Sequence, residues 1–112
     1  MENLNQIPQN PDLAVLPTDD PTSVEKFAEQ HPEIFCKYLF KRLRTAVNDT
    51  SPFINLFKFK NTNRVVQMSH TDYESQLNNL MKYFIKTENY ELAGECKDTL
   101  LRHKQNEEGI SS

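Results

Sequence analysis

A chain of 112 residues with a formal net charge of -3, a sequence pI of about 5.6 and a mean hydropathy of -0.73 fits one small polar domain. No apolar run approaches the roughly 20 residues that cross a bilayer, and two glycines exclude the glycine-rich phosphate loops of nucleotide enzymes. Cys36 and Cys96, sixty residues apart and outside any CxxC, argue against a disulfide framework, and Met1-Glu2-Asn3-Leu4-Asn5-Gln6 lacks a secretory leader's basic start, so a cytoplasmic location is expected.

Residues 1–20 carry Pro8, Pro11 and Pro17 among Asn, Gln and Asp, which blocks a continuous helix or a central strand and predicts a flexible tail. Within it the run Leu13-Ala14-Val15-Leu16 reads as cover for a nearby core patch rather than as a groove-binding motif. A domain is predicted over 21–105. Pro21 with Asp20 or Thr22 as cap and Glu25 as the capping-box acid starts a helix over about 22–30. His31-Pro32 interrupts it, and a second helix follows over 32–47, with Phe35, Leu39, Leu43 and Ala46 on a wide apolar face.

After the turn-rich Asn48-Asp49-Thr50-Ser51-Pro52 the period changes. Phe53 to Lys60 alternates partially, Asn61-Thr62-Asn63 breaks it, and Arg64 to Met68 is β-rich, so 53–68 is a candidate short β-hairpin. Two strands alone are marginal in water and need the helices or another chain.

Thr71-Asp72-Tyr73-Glu74 reads as a capping box opening a helix over 71–86, whose stripe is Tyr73, Leu77, Leu80, Met81 and Phe84. Thr87-Glu88-Asn89 reverses the chain, with Asn the residue that tolerates left-handed geometry. Tyr90, Ala93, Cys96 or Lys97, and Leu100 then stripe a helix over 90–104, where the small pair Ala93-Gly94 predicts close backbone approach. Residues 106–112 are expected to be a second flexible tail. The fold class is mainly α: a small helical domain with a C-terminal antiparallel helical hairpin.

Tyr90-Glu91-x-Ala93-small-Glu95-apolar-basic-Asp98-x-apolar, after an apolar-rich helix and a Glu-Asn turn, resembles the UVR motif of the UvrB and UvrC repair proteins, Clp-type chaperone ATPases and McsA-type kinase activators. The resemblance covers residues 73–104. It departs at Gly94 and Lys97, where the family usually has Ala and Arg, and at Cys96, which replaces a larger aliphatic. What it implies is a hairpin without an active site that docks another protein or a similar hairpin. The seam residues Tyr73, Leu77, Leu80, Met81, Phe84, Tyr90, Ala93 and Leu100 are then the candidate protein-binding surface, and core packing is the competing reading of the same stripe.

A second reading comes from charge. Between Lys37 and Arg64 seven cations face one acid, a local +6 in an acidic chain. Lys37, Lys41, Arg44, Phe57, Lys58, Phe59, Lys60 and Arg64 together suit phosphates and unpaired bases, against an overall charge that repels a polyanion. His31, His70 and His103 lack metal-ligand spacing, and no nucleophile signature surrounds either cysteine, so no metal, cofactor, small-molecule substrate or catalytic residue is expected. The sequence reads as a non-catalytic adaptor or regulator that binds a protein partner or itself through the hairpin. Its size and acidity also suit a phage-encoded factor. Nucleic-acid binding is the alternative.

Overall fold

The computed structural model describes residues 14–16, 22–59 and 64–111. The fold is mainly α, with four helices and one three-stranded sheet among the described residues. Strand β1 (Ala14–Leu16) precedes α1 (Ser23–Gln30) and α2 (Pro32–Asn48); β2 (Phe53–Phe59) and β3 (Val65–Ser69) follow, and a 3₁₀ turn (His70–Asp72) leads into α3 (Tyr73–Lys86) and α4 (Tyr90–Ser111).

Helix α2 is the middle layer, which is why its apolar face is so wide. On one side Phe35 stacks on Phe57 at 6.0 Å, Tyr38 Oη donates to the Leu56 carbonyl at 2.6 Å, and Arg42 donates twice to the Asn55 carbonyl, at 2.7 and 3.1 Å. On the other, Phe40 meets Phe84 edge-on at 6.3 Å and Arg44 reaches Glu95 on α4. Residues 35, 38 and 42 thus face the sheet, and 40 and 44, spaced one turn apart, face the hairpin. Phe27 of α1 closes the sheet side against both Phe35 and Phe57.

Strand order is β1-β2-β3, with β1 parallel and β3 antiparallel to β2. The expected β-hairpin is present and gains a third strand, because Ala14 to Leu16 pairs with Phe57 to Phe59 and buries Leu16. The tail reading for 1–20 is therefore corrected at 14–16, and its remainder lies outside the described residues. A bulge between Asn55 and Phe57 explains the partial alternation of β2. The extra residue, Leu56, shifts the phase, so Ile54, Leu56, Phe57 and Phe59 are all buried while Phe53 and Lys58 are exposed.

Helices α2 and α3 end alike. Past the last turn of α2, Thr50 takes φ 51°, with Thr50 N–H donating to the Val47 carbonyl and Ser51 N–H to the Ala46 carbonyl. Past α3, Glu88 takes φ 63°, with Glu88 N–H donating to Ile85 and Asn89 N–H to Phe84. Both are Schellman closures, built here without glycine. The left-handed residue of the reversal is Glu88 rather than Asn89, whose Oδ1 instead accepts from Leu92 N–H and starts α4.

Three further expectations are corrected. Thr71 is not the cap: Ser69 caps the 3₁₀ turn, its Oγ accepting from both Thr71 N–H and Thr71 Oγ1, and α3 itself starts after Asp72 with no side-chain cap hydrogen bond. Helix α4 continues to Ser111 instead of ending at 104, since Asn106 Nδ2 donates to the Val47 carbonyl at 2.9 Å and Glu107 meets His70. Gly94 is exposed and a Cβ there would touch nothing within 4 Å, so close backbone approach is not its role.

Candidate interaction surface

The hairpin forms as expected, with α3 and α4 packed along their length, but its seam points inward. Tyr73, Leu77, Leu80, Phe84, Ala93 and Leu100 are all buried in one cluster with Leu39, Leu43 and Val47 of α2. Those six side chains are core in this fold, and a partner does not reach them. The physical reason is α2: a third helix laid on the hairpin removes the stripe from water, a gain of ~25 cal/mol per Å² of apolar surface. Cys96, rather than Lys97, completes the stripe, and His103 extends it by one further step past Leu100.

Of the expected seam, Met81 remains half-buried, and Tyr90, the first residue of α4, is 64 % exposed. Tyr90 has company. Ile34 at the start of α2 is 59 % exposed and Ile85 near the end of α3 is 50 % exposed. Ala46 and Val47 at the end of α2 line one cleft with Tyr73 at the start of α3, while Phe40 meets Phe84 further on, so α2 and α3 run antiparallel and all three residues lie toward the end of the helical layer where the hairpin turns.

A groove of about 440 Å³ opens beside Tyr90, between α2 and the start of α4. Phe40 and Leu92 give it an apolar floor, and Lys37, Lys41, Arg44, Glu91 and Glu95 a rim of both signs. Arg44 donates to Glu95 at 2.6 Å and its guanidinium lies 5.2 Å from the Phe40 ring centre. Lys37 donates to Glu33 at 2.7 Å, which holds the Glu33 carboxyl below its usual range. Tyr83, half-buried beside this end, has its hydroxyl pushed up by burial, then by Cys36 and Glu33, with Lys37 opposing.

The basic residues of the alternative site are not brought together. Lys37, Lys41 and Arg44 share the groove side of α2, whereas Lys58 points from the opposite side of the molecule, on the sheet's outer face between Val15 and Val65. Phe57 and Phe59 are buried in the core, so neither ring can stack on a base. Arg64 is exposed just before β3, and Lys60 lies outside the described residues.

Among the described residues no group of three or more His, Cys, Asp or Glu is placed to hold a metal ion, and no helix is long and apolar enough to cross a membrane. Burial pushes the Cys36 thiol up, and the Cys96 thiol up to about 12, with the Glu95 carboxylate adding to burial at Cys96. Thiols so protonated are poor nucleophiles. No family model, curated protein or solved structure matches the chain.

Proposed function

We propose that this chain is a non-catalytic adaptor that docks another protein with the tip of its C-terminal hairpin. The observation that carries the proposal is the set of exposed apolar side chains Ile34, Ile85 and Tyr90 at one end of the helical layer, beside a groove with an apolar floor. Exposed apolar side chains near a charged-rimmed groove are features that binding surfaces use, often with an aromatic anchor. The resemblance to the UVR motif supports the same reading, because such hairpins act by docking. Here the contact lies at the tip, since the seam is spent on α2. Two cysteines left as free thiols suit work in a reducing cytoplasm.

The test places a photo-crosslinking residue at position 85 or 90, and at position 58 on the sheet's outer face as a control, in the source cell. The proposal predicts a discrete protein adduct from 85 and 90 that is missing from 58. Equal adducts from all three positions, or none from 85 and 90, would overturn it.

A further inference from the structure

The end of the molecule opposite the hairpin tip holds a second feature. A cleft of about 230 Å³ lies where the C-terminal end of α2, the turn after it, the start of α3 and the last third of α4 converge. Its walls are apolar at Ala46, Val47 and Pro52 and aromatic at Tyr73 and His103, whose rings lie 5.3 Å apart.

His103 is the anomaly. It is 6 % exposed, and neither ring nitrogen is hydrogen-bonded to another described residue. Burying a polar ring without a partner is costly, and buried polar groups in folded proteins are nearly always paired. Several neighbouring polar groups are already engaged elsewhere. Ala46 and Val47 carbonyls take the Ser51 and Thr50 amides, Asn106 Nδ2 donates to Val47 as well, and Tyr73 Oη donates to the Ser51 carbonyl at 3.0 Å. Burial also pushes the Tyr73 hydroxyl up, so it stays protonated.

We infer that this cleft is a binding site for a small neutral molecule, aromatic or similarly apolar in body, that carries one hydroxyl or ring N–H and hydrogen-bonds to His103. Size follows from the volume: apolar cavities of about 150 Å³ hold benzene, and this cleft is larger by a few heavy atoms. Neutrality follows from the surroundings. The carbonyl end of α2 and the Glu107 carboxylate, 3.2 Å from His70 Nδ1, set a negative potential that repels an anion. Among the described residues no group of three or more His, Cys, Asp or Glu is placed there to hold a metal cation. Entry is available from a surface depression that shares His70, His103 and Glu107 with the cleft.

The sequence holds the signal in retrospect, since Cys96, Leu100 and His103 are spaced four and three, which puts the imidazole on the buried stripe.

The experiment titrates the full chain with phenol, benzene and benzoate, following the Ala46 and Val47 methyl and His103 ring resonances. Phenol should shift them saturably and bind about tenfold tighter than benzene, the worth of one hydrogen bond, and benzoate should bind more weakly than phenol. His103→Phe and His103→Leu keep the space filled but remove the nitrogens; in whichever folds, the preference for phenol over benzene should vanish. No shift with phenol at millimolar concentration, equal binding of phenol and benzene, tighter binding of benzoate, or a preference that survives both variants would overturn the inference.

Discussion

Asn89 N–H donates to the Phe84 carbonyl at 2.7 Å, so the backbone that reverses the hairpin is pinned to the residue that plugs its core. This closure forces Glu88 to φ 63°, a region that costs an L residue roughly 1–2 kcal/mol. Glu88 is exposed. Glu88→Gly should therefore raise unfolding stability by about 1 kcal/mol in a urea titration, with the slope unchanged. A loss of stability would mean the reversal does not use a left-handed residue at 88.

Gly94 gives an independent check on helix α4. Its missing Cβ faces open space, and glycine in a helix interior costs about 1 kcal/mol relative to alanine. Gly94→Ala is predicted to stabilise the protein by about that amount, measured by thermal melting. Destabilisation would reveal a neighbour packed on that face.

Alkaline pH reports on the core beside α2. The folded Cys96 thiol keeps its proton up to about 12, against an ordinary value of 9.0, so the unfolded chain loses that proton first. Stability is complete below 9, falls as pH rises from 9 toward 12, and levels above. One group accounts for at most about 1.4 kcal/mol per pH unit. Cys96→Ala should flatten this fall, even though removing the side chain lowers stability at neutral pH. Identical slopes would place the titration elsewhere.

The two halves of the basic stretch make a separate prediction. Phe57 touches Phe27, Phe35 and Tyr38, so Phe57→Ala should cost about 3–5 kcal/mol, while Lys58→Glu on the exposed face should change stability by less than about 0.5 kcal/mol. Circular dichroism melts of the two variants distinguish them at once. Comparable effects would mean β2 is registered one residue differently.

Much of this fold is legible in the sequence because 3.6-residue periodicity is strong in α2, α3 and the first half of α4. What is not legible depends on distant partners. Strand β1 is three residues between prolines, and only its pairing with Phe57 to Phe59 gives it form. The Leu56 bulge shows in the sequence only as broken alternation. The seam of the hairpin reads equally well as surface or core, and what decides is the second wide face of α2, which one helix can present to sheet and hairpin together. Tyr90 fits the seam by spacing but is 64 % exposed at the first residue of α4. The burial of His103 is not legible because histidine is polar, whereas Cys96 and Leu100 before it on the stripe are apolar.

Leu77, fully buried in the core cluster shared with α2 and α4, tests most directly whether the hairpin's stripe is spent inside the protein. Leu77→Ala should lower unfolding free energy in urea by about 2–5 kcal/mol, the range for a buried leucine truncated to alanine. An unchanged midpoint would show that Leu77 is not core, and that the stripe faces outward.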